Sequence, residues 1–104
     1  MDVLILCGSA SDLEALADTT KTLKDFGVSY ALHVASAHRT PARVRELVAA
    51  AERDGAQVVI AAAGLAAHLA GAVAGQTVLP VIGIPLAVGP LNGFDALLST
   101  VQMP

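Results

Sequence analysis

Ser36-Ala37-His38-Arg39-Thr40-Pro41 sets an ionisable imidazole beside a permanent cation in a run of small residues. Proline at a first helical position is pre-set in φ and gives up an N–H that would lack a partner there, so Pro41 starts a helix with Thr40 as its N-cap. His38 and Arg39 then stand at a helix N-terminus, where free backbone N–H groups and the positive end of the dipole favour an anion. A phosphorylated small molecule suits that place. Arg39 has the rigid guanidinium fork that matches phosphate, although pairing with a surface acid is the commoner fate of an arginine. Histidine is the side chain best suited to proton transfer near neutral pH, and beside Arg39 this makes His38 a general acid/base candidate; alone it would read as a surface or hydrogen-bonded residue.

Two further loops carry groups of the same kind. Gly8-Ser9-Ala10-Ser11-Asp12 offers backbone amides and two hydroxyls suited to phosphate oxygens, and a carboxylate, Asp12, suited to ribose hydroxyls. The plainer reading is that Ser11 only caps a helix and Asp12 only complements its dipole. Ser9 precedes that cap and has no structural duty in this reading. Gly64-Leu65-Ala66-Ala67-His68 is the third loop, and His68 fits helix N-terminal packing as well as a secondary substrate contact. His33, His38 and His68 are widely spaced, and one cysteine without a carboxylate cluster supplies no ligand set, so no metal is expected. With no P-loop and no G-x-G-x-x-G, neither ATP nor a dinucleotide cofactor is expected.

The elements that must position these loops follow from periodicity. Val3–Cys7 is a continuous apolar run ending at Gly8, as in a strand buried on both faces. Ser11 and Glu14 predict a capping box, opening a helix with Leu13, Leu16, Ala17, Thr20, Leu23 and Lys24 at helical spacing up to Phe26-Gly27. Residues 29–34 form a second strand. Pro41–Arg53 forms a second helix with Val44, Leu47, Val48 and Ala51 on one stripe, closed by Gly55 in a left-handed cap. Residues 58–62 form strand three, residues 65–74 contain a short Ala/Gly-rich helix, residues 81–84 form strand four between prolines, and a last helix spans about residues 94–101. Four strand-then-helix units imply parallel strands with right-handed crossovers. The fold class is α/β: a doubly wound three-layer sandwich around a parallel sheet, of flavodoxin-like strand order. All three loops follow strands, so they meet at the carboxyl edge, where 2-1-3-4 order makes them neighbours.

The 104 residues suffice for one domain. Six basic against nine acidic residues give a net charge of −3, which leaves no basic footprint for nucleic acid. All the basic residues and eight of the acids lie at or before Asp54, and Asp95 alone is charged thereafter. A half so poor in charge makes no ordinary solvated surface. Residues 58–75 are long enough to raise a membrane span, but the run is mostly alanine and glycine, contains His68 and lacks flanking basic residues. Subunit contact accounts for it better. The lone Cys7 excludes an intrachain disulfide and fits a reducing compartment, and Asp2 after Met1 does not open a signal peptide. The expected setting is cytoplasmic.

G-S-A-S-D at residues 8–12, S-A-H-R-T-P at 36–41, A-G-L-A-A-H-L-A-G at 63–71 and V-Q-M-P at 101–104, in that order from end to end, resemble the class I N5-carboxyaminoimidazole ribonucleotide mutases of purine biosynthesis. The resemblance implies transfer of a carboxylate from the exocyclic nitrogen to ring carbon 4 of aminoimidazole ribonucleotide, without ATP, metal or other cofactor. It also implies a homo-octamer whose partner is a small ribonucleotide, with no membrane or nucleic acid partner. It assigns His38 as general acid/base and Ser9, Asp12 and Arg39 to the nucleotide; the three loops add Gly8, Ser11, Ser36, Ala37, Gly64, Leu65, Ala66, His68 and Leu69 as expected substrate-binding residues. The chain departs from the family string at Leu65, where a second glycine stands, and at Ala70, where a proline stands. A related carboxylase class that takes free carbon dioxide has lysine after the histidine, so Arg39 favours the mutase. The family continues past V-Q-M-P with another strand and a long helix, so a non-catalytic fragment that binds a nucleotide or partner is the remaining alternative.

Overall fold

The computed structural model describes residues 1–103. Four parallel strands, β1 (Val3–Cys7), β2 (Tyr30–Val34), β3 (Val58–Gly64) and β4 (Val81–Leu86), pair in the order β2-β1-β3-β4. Four helices follow them: α1 (Ala17–Asp25), α2 (Pro41–Arg53), α3 (Leu69–Ala74) and α4 (Phe94–Val101). The architecture is the expected parallel α/β sandwich, and the register aligns Cys7 with both Val34 and Ala62, and Gly64 with Leu86. The carboxyl ends of all four strands therefore share one edge.

β1 is buried throughout because it feeds both layers. Its side chains alternate: Leu4 and Leu6 pack with Val44, Val48 and Ala51 of α2 and with Leu69 and Val73 of α3. Val3, Ile5 and Cys7 pack on the other face with Leu16, Ile60, Ala62 and Leu86. Each such aliphatic side chain contributes about 1.5–3 kcal/mol of burial, more than any single cap in the molecule at about 1 kcal/mol. Core packing fixes the sheet, and the caps adjust where the loops leave it. At the opposite end, Asp2 Oδ2 accepts hydrogen bonds from Ser29 Oγ at 2.6 Å and Ser29 N–H at 3.1 Å, pinning the start of β1 to β2. The same bonds hold the Asp2 carboxyl below its usual range.

Several boundaries differ from expectation for identifiable reasons. The chain after β1 does not enter one helix at Ser11. It makes two 3₁₀ turns, Ala10–Asp12 and Glu14–Leu16, before α1 begins. Ser9, not Ser11, is the cap: its side chain accepts from Ser11 N–H, while Asp12 Oδ2 accepts from Ser9 N–H at 3.1 Å. Closing that box over three residues favours i→i+3 geometry, seen in Asp12 N–H to Ser9 C=O at 3.0 Å. Thr40 does hold the N-cap position of α2, but its side chain makes no cap bond; Oγ1 instead accepts from Ser36 N–H and donates to Ser36 C=O. Gly55 ends α2 at φ +86°, as expected of a left-handed cap.

β3 and β4 each run two residues further than their apolar runs suggest. Pro85 is accommodated because β4 is an edge strand among the described residues, where a missing N–H disrupts no inner ladder. The fourth motif ends at Pro104, outside the described residues. No helix among the described residues is long and apolar enough to cross a membrane. α4 turns Ala96 inward and leaves Phe94, Leu97, Leu98 and Val101 exposed, an uncovered apolar stripe at i, i+3, i+4, i+7.

Candidate active site

Ala35 N–H donates to Cys7 C=O at 2.8 Å, carrying the β1–β2 pairing one step beyond the strands. The loops after β1 and β2 consequently leave the edge side by side. In the second, Ser36 is the organiser: its Oγ accepts from His38 N–H at 3.2 Å and Arg39 N–H at 3.1 Å, and its carbonyl accepts from Thr40 N–H at 2.9 Å. This ring of short bonds holds the His38 and Arg39 backbone in one turn before Pro41 commits the chain to α2.

The third loop departs from β3 at Gly64. Leu65 takes φ +55°, a left-handed conformation costing a residue with a side chain about 1–2 kcal/mol. Strain of that kind persists where surrounding contacts over-determine it. Beyond it, Ala67 N–H donates to Ser99 Oγ of α4 at 2.8 Å, and Ser99 Oγ in turn donates to the Asp95 carbonyl at 2.7 Å. α4 thereby anchors the residue next to His68. His68 is the N-cap residue of α3 but makes no side-chain cap bond.

The imidazole of His68 points instead across the edge to His38. Nε2 of His38 lies 2.8 Å from Nδ1 of His68, with the rings edge to face at 77°. One facing nitrogen must carry the proton and the other a lone pair, so both rings cannot be doubly protonated while the contact lasts.

These loops line a cleft of about 370 Å³, within the range of small-ligand pockets. Every residue singled out from the sequence lines it: Gly8, Ser9, Ser11 and Asp12 from the first loop; Ser36, Ala37, His38 and Arg39 from the second; Gly64, Leu65, Ala66, His68 and Leu69 from the third. Ala63 and Val88 line it too, and neither was expected. Val88 lies in the β4–α4 loop, which carries no charged or catalytic-type side chain in the sequence. Ser99 was also missed, although a serine inside an apolar helix segment is a detectable anomaly.

The charges are set out unevenly. Asp12 is the one buried charged residue among those described, at 9% exposure. Arg39 is exposed, and its guanidinium has no ion-pair partner among the described residues. Below the floor, burial pushes the Cys7 thiol up, and the Asp12 carboxylate adds to this; Sγ donates to Ser9 C=O at 3.5 Å. A neutral thiol results. Among the described residues no group of three or more His, Cys, Asp or Glu side chains converges as a metal site would need.

The fold and this cleft place the protein among the doubly wound α/β proteins whose working surface lies beyond the strand ends. More narrowly, the chain belongs to the AIR carboxylase family, whose sequence model matches residues 2–104. It is 52% identical over 100 residues to the N5-carboxyaminoimidazole ribonucleotide mutase of Pyrococcus abyssi, covering 96% of this chain and 58% of that protein. The protein of the same name from Thermotoga maritima is 50% identical over 100 residues, again with 96% and 58% covered. Among solved structures, Treponema denticola PurE superposes with a TM-score of 0.90 at 33% identity, covering 98% of this chain and 65% of that one. The chain thus spans a little over half the length of these two curated relatives.

Proposed function

We propose that this chain carries the purine-biosynthetic mutase chemistry named for its relatives, interconverting N5-carboxyaminoimidazole ribonucleotide and 4-carboxy-5-aminoimidazole ribonucleotide. The observation that carries this reading is the His38–His68 pair set in a cavity with Ser9, Ser11, Asp12 and Arg39. Arg39 with the serine hydroxyls suits a phosphate, and Asp12 suits ribose hydroxyls. Gly8, Ser36 and Ala37 bring backbone close to the ligand, while Gly64, Leu65, Ala66 and Leu69 wall the end nearer the histidines.

The proton balance needs no ATP, metal or cofactor. His38 donates a proton to the exocyclic nitrogen as the N–C bond of the carbamate breaks and carbon dioxide leaves. Carbon 4 of the aminoimidazole then attacks the retained carbon dioxide, forming the new C–C bond. His38 recovers a proton from carbon 4, restoring the ring. One proton is given and one taken. Confinement makes the second step fast, because a trapped reactant behaves as if at very high concentration. His68 is a positioning residue: it engages Nε2 of His38 and leaves Nδ1 as the nitrogen open to substrate.

A carboxylase using free carbon dioxide is the second reading, raised by the family's description; Arg39 in place of the lysine of that class speaks for the mutase. Substrate labelled with ¹³C in the carbamate separates them. Retention of label in the product without exchange into dissolved carbon dioxide supports the mutase. Full washout supports the carboxylase, and nucleotide binding with no transfer leaves a binding fragment.

We further propose one α/β domain over residues 1–104, since both cores share a single sheet, and a cytoplasmic setting, given the one free, buried thiol. A homo-octamer is the proposed assembly, supported by the exposed apolar stripe of α4; no nucleic acid or membrane partner is proposed.

A further inference from the structure

We propose that Leu65 braces the β4–α4 loop against the end of β3, and so holds in place the apolar wall of the cavity; the consequence for catalysis rests on the function proposed above. Two consecutive residues on each side interlock. A Cβ on Gly64 would overlap Val88 Cγ2, so the Val88 side chain lies directly over the Gly64 backbone. A Cβ on Gly89 would stand 2.8 Å from Leu65 Cδ2, so the Leu65 side chain lies directly over the Gly89 backbone. Gly89 itself takes φ +75°, which favours glycine a second time at this position.

The loop has little else to hold it. Its own backbone bonds are short-range: Val88 N–H to Leu86 C=O at 3.0 Å, Asn92 N–H to Gly89 C=O at 3.3 Å and Phe94 N–H to Leu91 C=O at 3.0 Å. Leu91 and Phe94 are exposed. Leu65 is itself 52% exposed and keeps a left-handed backbone that glycine would adopt without strain. Neither burial nor backbone preference accounts for leucine at this site. Its contact with the loop does, and both Leu65 and Val88 line the cavity. In the proposed reaction a loosened loop opens an exit for carbon dioxide between the two chemical steps. Leu65 acts there as a positioning residue and takes no part in proton transfer.

Three variants test this. Leu65→Ala removes the side chain and keeps the backbone demand, Leu65→Gly removes both, and Leu65→Met keeps most of the volume. Amide hydrogen exchange reads the loop independently of any activity. The expected result is exchange at Val88, Asn92 and Phe94 faster by at least ~10-fold in both Ala and Gly variants, with Met close to wild type. Unchanged exchange in the Ala variant, or acceleration in the Gly variant alone, overturns the bracing role. With ¹³C-carbamate substrate, the fraction of label lost to solution should rise roughly 3-fold or more in the Ala and Gly variants, a ratio insensitive to the amount of active protein. A loosened loop with undiminished label retention overturns the catalytic consequence. Should wild-type chain transfer no label at all, the proposed function fails, while the exchange comparison still decides whether Leu65 holds the loop.

Discussion

His38 and His68, 30 residues apart in the chain, meet through ring nitrogens at 2.8 Å, with ring centroids 5.0 Å apart. Each comes from a different loop, and each loop is tied separately: the first by Ser36, the second by Ser99 of α4. The pair is therefore a product of the sheet edge, and its geometry depends on residues that touch neither ring.

For His38, replacement by asparagine keeps size and some hydrogen bonding but removes the group able to give and take a proton near neutral pH. Nucleotide binding should survive while turnover falls by at least ~10²-fold. Exchange of the carbon 4 proton of bound aminoimidazole ribonucleotide with deuterated solvent measures the base alone. Undiminished exchange in the variant would move that role elsewhere.

His68 should behave differently. His68→Phe keeps a ring but removes the 2.8 Å contact with His38 Nε2, so carbon 4 proton exchange should slow by roughly 10-fold, and His68→Asn, which keeps a hydrogen-bonding group, should recover part of that rate. Equal rates in the Phe and Asn variants would indicate packing alone.

Arg39→Ala should weaken nucleotide binding by roughly 2–4 kcal/mol, the scale of a lost charge-assisted bidentate pair, with Arg39→Lys restoring only part of it. Calorimetry with ribose 5-phosphate isolates the phosphate end. Equal affinity for wild type and both variants would remove Arg39 from that role.

Cys7 predicts an alkaline limit to stability. Its folded-state thiol is pushed up by burial and by Asp12, so folding holds that proton more tightly than the unfolded chain does. The contribution is fully present below the unfolded thiol range, near pH 8.5, and is lost as pH rises through the folded value. Urea midpoints should decline above about pH 9, and Cys7→Ala should flatten that decline while lowering the neutral-pH midpoint through a lost contact. Parallel pH curves for the two proteins would contradict the assignment.

The stripe Phe94, Leu97, Leu98 and Val101 predicts self-association. Leu98→Glu, placed on a half-exposed position of a helix that keeps Ala96 inward, should lower the sedimentation coefficient without loss of helical signal. A wild-type chain that sediments as a monomer at micromolar concentration would count against the proposed assembly.

Much of this architecture was legible because its signals are local. The apolar run of Val3–Cys7, the Pro41 start and Gly55 stop of α2, and the alternation of strand with helix each act within a few residues, and the 2-1-3-4 sheet follows from them. Local reading failed where two signals competed over the same few atoms. Ser9 and Ser11 both offer a hydroxyl, and the buried Asp12 carboxylate decided for Ser9 by accepting its N–H. It also failed for Pro85, which ends a strand by propensity and is tolerated by its place at the edge.

The sequence by itself determined the inventory of chemical groups and the edge on which they gather, since both depend only on residue type and connectivity. The tertiary structure alone decided which of those groups touch. The meeting of His38 with His68, the Ser99 anchor and the interlock of Leu65 with Gly89 join segments at least 24 positions apart. Their distances are set by strand register and by how α3 and α4 pack beside β4, sums of many weak contacts that no single short string of residues encodes.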